Sequence, residues 1–129
     1  HEAGVVALSD AGAHLIYMCD AGFGLHFLAR WVRERGDFTI QEGIRRLTSH
    51  PADLYGIQNR GRLAGGAQAH MLLFDPATVA DHATTNTPEA LASGFSGVWV
   101  NGQRVWDNGR STGQFPGQPI LHAATVAKD

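Results

Sequence analysis

Gly4-Val5-Val6-Ala7-Leu8-Ser9-Asp10-Ala11-Gly12-Ala13-His14 is the stretch whose reading decides the fold. Its first five residues are a continuous apolar run with two β-branched valines, and it breaks abruptly into small and polar residues. A strand buried on both faces reads this way, because neither face needs polar side chains. In parallel α/β architectures the reactive groups gather at the carboxyl ends of such strands, and the small residues around Asp10 leave room for a ligand or metal. Two readings of Asp10 fit this local pattern. Its carboxylate can hold a metal or move a proton, or it can accept backbone N–H bonds as an Asx turn or helix cap. Spacing does not separate them.

Helices follow. From Gly22 onward, Leu25, Leu28, Trp31 and Val32 fall at helical spacing among Arg30, Arg33, Glu34 and Arg35, and Gly36 supplies a stop. Thr39-Ile40-Gln41-Glu42 has the capping-box spacing, in which a hydroxyl and a carboxylate satisfy amides left unpaired at a helix start. A helix is predicted from about Ile40 to Leu47. Pro51 at a first turn and Gly56 at a left-handed cap bracket a third, short helix with Leu54 and Tyr55.

Beyond Gly56 the helical period ends. Met71-Leu72-Leu73-Phe74 reads as a strand stopped by the Asp75-Pro76 turn, and residues 79–97 follow no clear pattern. Val98-Trp99-Val100 and Gln103-Arg104-Val105-Trp106 flank Asn101-Gly102, the strongest short-range signal for a hairpin. From Gly109 on, with Gly113, Pro116, Gly117 and Pro119, the tail is expected to lack regular structure. The predicted order is one buried strand, then helices, then a small β region.

The chain has 129 residues, too few for a complete (β/α)8 barrel, which needs roughly 250. Charged residues make up 17% against a usual figure of about 25%, so a small surface is thinly wetted and reads as meant to be covered. The chain also begins with His1, and a piece of a longer protein is expected. A net charge of −2 gives no electrostatic footprint for nucleic acid or anionic lipid. The apolar runs are too short for a membrane span or signal peptide. The single cysteine, Cys19, rules out an intrachain disulfide and favours a reducing compartment, with the cytoplasm as the default.

Seven histidines invite a metal, yet none forms His-x-His and no His-Glu-x-x-His pair occurs, so a self-contained zinc site is not expected. His50, before Pro51 at a helix entrance, is expected to hydrogen-bond locally, and His26 to pack in the helical stripe. The glycines of residues 60–66 lack the ending of a phosphate loop and read as a turn between short strands. Trp31, Trp99 and Trp106, without a basic groove around them, read as core packing and edge protection.

Taken in order, the motifs resemble the C-terminal part of an amidohydrolase-superfamily enzyme of the D-aminoacylase (N-acyl-D-amino-acid deacylase) type. Leu8-Ser9-Asp10-Ala11-Gly12-Ala13-His14 resembles the end of that family's eighth barrel strand. Cys19-Asp20-Ala21 with Trp31-Val32-Arg33, and Arg46-Leu47-Thr48-Ser49-His50-Pro51-Ala52 with Leu54-Tyr55-Gly56-Ile57, resemble the helices after it. Asn59-Arg60-Gly61-Arg62-Leu63, Leu73-Phe74-Asp75-Pro76 and Val100-Asn101-Gly102 resemble the return into the small β-sandwich beside the barrel. The resemblance covers nearly the whole chain.

It implies a mixed α/β fold class. Residues 1–57 would be the end of a catalytic TIM barrel, its last strand and following helices. Residues 58–129 would be strands of the accompanying β-sandwich and a tail. It also implies hydrolysis of the amide of an N-acyl-D-amino acid, with zinc as cofactor and a metal-activated water. Asp10 would be a metal ligand and the catalytic group that deprotonates the water and then helps protonate the leaving amine; His14 would face the substrate. The family's His-x-His and its other ligands would lie upstream, leaving this chain inactive alone and partnered by the rest of the barrel. One departure is Ala69-His70, where the family has Ala-Asp, which bears on sandwich packing. The competing reading is a non-catalytic binding or structural α+β module without a metal site. An isolated chain with an unpaired strand at residues 5–8 and an uncovered helix is expected to associate with itself or to rearrange its first 20 residues.

Overall fold

The computed structural model describes residues 4–7, 9 and 20–121. A short 3₁₀ turn, Asp20–Gly22, leads into helix α1, Phe23–His26, which continues as a π-helical segment, Phe27–Glu34. Helices α2, Ile40–Leu47, and α3, Ser49–Leu54, follow. Four strands then form one antiparallel sheet in chain order, β1 Met71–Phe74, β2 Phe95–Val100, β3 Gln103–Asp107 and β4 Arg110–Ser111. The molecule therefore mixes helices with an antiparallel sheet, in the predicted order of helices and then β structure.

Local chemistry accounts for the elements that the sequence predicted. Thr39 sits in extended conformation and its Oγ1 accepts from the Glu42 amide at 3.2 Å, so α2 begins where the capping spacing places it. The reciprocal half of the box is not made in this form, since the Glu42 carboxylate is held by Arg45 and Arg46. Helix α3 ends in a reversal at Gly56, with its Ile57 amide bonded to the Ala52 carbonyl at 2.8 Å. In the hairpin, Val100 faces Gln103, and Asn101 and Gly102 both have positive φ, 49° and 78°. That is the two-residue turn whose twist matches the flanking strands. A Cβ at Gly102 would meet only Ala69 Cβ at 3.9 Å, so substitution there tests backbone strain with little collision. Gly102→Val is expected to lower the free energy of urea unfolding by about 1–3 kcal/mol, the usual size of such strain, while Asn101→Asp is tolerated.

Several expectations are corrected. Residues 4–7 are not in a strand, and none of them pairs in a ladder among the described residues. A strand exists only where a neighbour supplies N–H and C=O partners, and none of the four described strands, paired in the order β1-β2-β3-β4, pairs with residues 4–7. Val5 and Val6 are instead half-buried, with Val6 packed on the helical core. Trp31 is 41% exposed, whereas Phe27, Leu28, Ala29 and Val32 are buried. The cause is the wider π turn, seen in the Arg35 amide bonded to the Arg30 carbonyl at 3.0 Å. Its i→i+5 period aligns Phe27 with Val32 and rotates Trp31 outward, where Arg35 stacks on the indole at 4.7 Å.

Downstream, residues 60–66 form a loop after α3 rather than a turn between strands. Its closure comes from the Gln68 amide bonding to the Asn59 carbonyl at 2.9 Å and from Arg62 reaching Asp53 at 2.6 Å. The tail is also more ordered than expected. Asn108-Gly109, with φ of 43° and 90°, closes a second hairpin that pairs Asp107 with Arg110 and Trp106 with Ser111. The chain then runs back along the sheet, with Thr112 Oγ1 donating to the Arg104 carbonyl and Asn101 Nδ2 to the Pro116 carbonyl, both at 2.7 Å.

The unread region, residues 79–97, carries the contact between the two halves. Val79 is 1% exposed and joins Phe27, Leu28 and Val32 in one cluster, with Phe38, Ile40, Leu47 and Phe74 packed against it. Burying a side chain of this kind contributes about 1.5–3 kcal/mol. A polar strut supplements it, as Arg33 Nη1 donates to the carbonyls of Val79 at 2.5 Å and Pro76 at 3.2 Å.

Candidate functional site

The two residues singled out for chemistry, Asp10 and His14, lie outside the described residues, as does Cys19. What the structure shows is the scaffold on either side of them. On the amino-terminal side, the Gly4 carbonyl lies 3.1 Å from His50 Nε2, and Val6 rests on the core. On the carboxyl-terminal side, the chain enters Asp20–Gly22 and α1.

His50 was expected to bond locally, and it does so through one ring nitrogen while the other makes a distant contact. Its Nδ1 faces Arg45 Nη1 at 3.2 Å, one turn earlier on α2, but its Nε2 reaches a carbonyl 46 residues away. The chain breaks at Thr48, with φ of −129° and ψ of −87°, and His50 lies in the first turn of α3, followed by Pro51 where a missing N–H costs no helical bond. Arg45 is itself fixed by Glu42, with Nε 2.7 Å from Oε2 and Nη2 3.0 Å from Oε1. Arg45 hydrogen bonding holds the Glu42 carboxyl below the usual carboxylate range, against some opposing desolvation, and the charges of Arg45 and Arg46 add to it. Such a lowered group stabilises the fold when ionised. Its contribution is full at neutral pH and is lost as the pH falls through the carboxylate range, below about 4. Unfolding midpoints in urea measured from pH 6 to pH 3 are therefore expected to fall less steeply for Glu42→Gln than for the unsubstituted chain.

A second feature is a cleft of about 490 Å³ beside Gly22, lined by Phe23, Leu25, Leu28, Leu47, Leu72 and Leu91 among others. Asp81 closes one wall, with its side chain 10% exposed, its Oδ1 accepting from the Ala83 amide at 3.1 Å and its Oδ2 4.0 Å from His26 Nδ1. His26 thus meets a carboxylate at the surface and does not pack in the stripe. Sequence reasoning missed Asp81 because it lies in the patternless segment, and no local signal marks it. His70 lies between two donors, its Nε2 3.2 Å from Arg60 Nε and its Nδ1 3.3 Å from the Asn101 amide, and since a neutral imidazole has one accepting nitrogen it can accept from only one of them at a time. Among the described residues no group of three or more His, Cys, Asp or Glu side chains is placed to hold a metal ion. No described helix is long and apolar enough to cross a membrane.

Comparison with known proteins gives this scaffold its place. Residues 9–106 match the model of the amidohydrolase family. The chain is 41% identical over 93 residues, 72% of its length, to the N-acyl-D-aspartate deacylase of Alcaligenes xylosoxydans xylosoxydans, of which those residues make up 19%. Its fold matches the crystal structure of a D-aminoacylase with a TM-score of 0.69 and 36% identity, over 70% of this chain and 19% of that one. The N-acyl-D-glutamate deacylase of Bordetella bronchiseptica, solved with zinc and a phosphonate mimic of the tetrahedral intermediate, matches with a TM-score of 0.64 and 40% identity, over 67% and 18%. The chain thus spans about a fifth of the length of the relatives it matches. The match runs through the helices, the Val79 junction and the β2–β3 hairpin alike, and this chain belongs to the amidohydrolase family.

Proposed function

We propose that these residues are the C-terminal part of a metal-dependent amidohydrolase that hydrolyses the amide of N-acyl-D-amino acids. Residues 1–57 close its catalytic barrel, and residues 58–129 contribute to the β-sandwich beside it and to the tail. The observation that carries this reading is the 41% identity over 93 residues to a deacylase of an N-acyl-D-amino acid. Relatives of known structure support zinc as the metal. Among the described residues no group of three or more His, Cys, Asp or Glu is placed to hold a metal ion; in this reading Asp10 is a ligand and the others belong to the rest of the protein. In this reading the Asp10 carboxylate accepts a proton from the attacking water and returns it to the departing amine, while His14 faces the substrate. The substrate is a small N-acyl amino acid, and the rest of the barrel is the partner of this segment. A cytoplasmic location accords with the single cysteine.

The test compares two preparations. The full-length protein carrying these residues, loaded with zinc, is expected to hydrolyse N-acetyl-D-aspartate, N-acetyl-D-glutamate or a neutral N-acetyl-D-amino acid in preference to the L forms. The 129-residue chain with zinc is expected to hydrolyse none of them, because a catalytic zinc needs three protein ligands. Turnover by the short chain, or a full-length protein inactive on every N-acyl-D-amino acid, overturns the reading.

A further inference from the structure

The stretch of residues 79–97 sets two reactive side chains against each other. Ala80 and Ser93 bond in both directions, the Ala80 amide to the Ser93 carbonyl at 3.2 Å and the Ser93 amide to the Ala80 carbonyl at 2.9 Å. His82 lies just beyond Ala80, and the Asp81 carboxylate fixes the chain around it by accepting from the Ala83 amide at 3.1 Å, in the manner of an Asx turn. His82 Nε2 thereby lies 2.7 Å from Ser93 Oγ. Both residues are exposed, so a reagent in solution reaches them.

A serine hydroxyl is a weak nucleophile until a base within hydrogen-bond reach takes its proton. Nε2 can take it when the ring proton sits on Nδ1. Among the described residues the Nδ1 of His82 has no hydrogen-bond partner, so no neighbour imposes the opposite tautomer. The Gly94 amide, next after the serine, makes no hydrogen bond among the described residues and is left free for a developing oxyanion. Asp81 faces His26 rather than His82, its Oδ2 4.0 Å from His26 Nδ1, and no other described carboxylate orients the His82 ring as in a full triad. The reactivity that such a pair supports is therefore towards acyl donors with a good leaving group, not towards amides.

We propose that Ser93 is a nucleophilic site, acylated by activated esters, with His82 as its general base. Ser93 Oγ attacks the ester carbonyl, and its proton passes to His82 Nε2. An Oγ–carbon bond forms, the bond from that carbon to the leaving phenol oxygen breaks, and the phenolate takes the proton from Nε2. The products are an O-acyl serine on the chain and one free phenol. The site does not rest on the amide hydrolysis proposed above, in which water and not a side chain attacks.

In the test, the full-length protein is treated with 4-nitrophenyl acetate, quenched in acid and digested, and acetyl groups are mapped by mass spectrometry. Ser93 is expected to be acetylated at least about tenfold faster than Ser111, which is exposed and bonded to the Gly113 amide, with no imidazole against it. His82→Gln keeps a hydrogen-bonding side chain beside Ser93 but supplies no base. It is expected to slow acetylation of Ser93 by about 10², the lower end of the range for general base catalysis. Ser93→Ala removes only the hydroxyl, leaves the backbone bridge to Ala80 in place, and is expected to abolish the adduct at this position. Acetylation of Ser93 no faster than of Ser111, an adduct confined to histidine or lysine, or an undiminished rate in His82→Gln overturns the proposal. Ester hydrolysis at a bound metal does not register, because the readout is a covalent adduct on a named residue.

Discussion

Asp10→Asn in the full-length protein is expected to lower kcat for N-acyl-D-amino acid hydrolysis by about 10³–10⁴, near the top of the range for a positioned acid–base group. On the proposed reading the carboxylate is the proton carrier. The amide keeps its shape and hydrogen-bonding reach but cannot accept the proton of water. Because the change is isosteric, the melting temperature of the full-length protein is expected to stay within about 2 °C. Steady-state kinetics on the zinc-loaded enzyme, normalised to folded protein by calorimetry, separate the two roles of Asp10. A variant that unfolds while keeping activity per folded molecule would identify Asp10 as an Asx turn or cap instead.

Gly94→Ala is expected to have the largest effect on the fold, destabilising the chain by more than about 3 kcal/mol, since positive-φ strain and a backbone collision add. Gly94 has φ of 81°, and a Cβ built there would sit inside the N and Cα atoms of Val79. Neither can move. The Val79 amide bonds the Asp75 carbonyl at 2.9 Å, and the Asp75 amide bonds the Gly94 carbonyl at 2.8 Å. The adjacent bridge between Ala80 and Ser93 locks the same two strands of chain together. Val79 is also the side chain that ties the sheet to the helices, so displacing it opens the shared core. Urea unfolding of Gly94→Ala beside Gly102→Ala tests this account, because the second carries strain without collision. Equal losses for the two would show that the Val79 backbone yields.

The functional site was legible in the sequence only through a resemblance. Asp10 and His14 follow an apolar run that reads as a strand, yet nothing local distinguishes a catalytic carboxylate from a cap. The ordered blocks, from Leu8-Ser9-Asp10 to Val100-Asn101-Gly102, supplied the family, with which the match over residues 9–106 agrees, and the roles of Asp10 and His14 belong to the proposed reading. His50 shows the opposite case. Its neighbour Pro51 made a local bond the natural expectation, and beside the local contact with Arg45 it has a second partner 46 residues away.

Features encoded within about five residues were settled by the sequence itself. Thr39 and Glu42 set the start of α2, Gly56 the end of α3, and Asn101-Gly102 the hairpin, because each acts through a bond or a φ value at that very place. Asn108-Gly109 carried the same signal and could have been read the same way. Other features depend on what meets what, and these only the tertiary structure decided. The outward turn of Trp31 follows from a π segment wound to align Phe27 and Val32 over Val79. The need for glycine at position 94 follows from a backbone 15 residues earlier in the chain. The absence of a strand at residues 4–7 follows from the lack of a ladder partner among the described strands, which no propensity of two valines can replace.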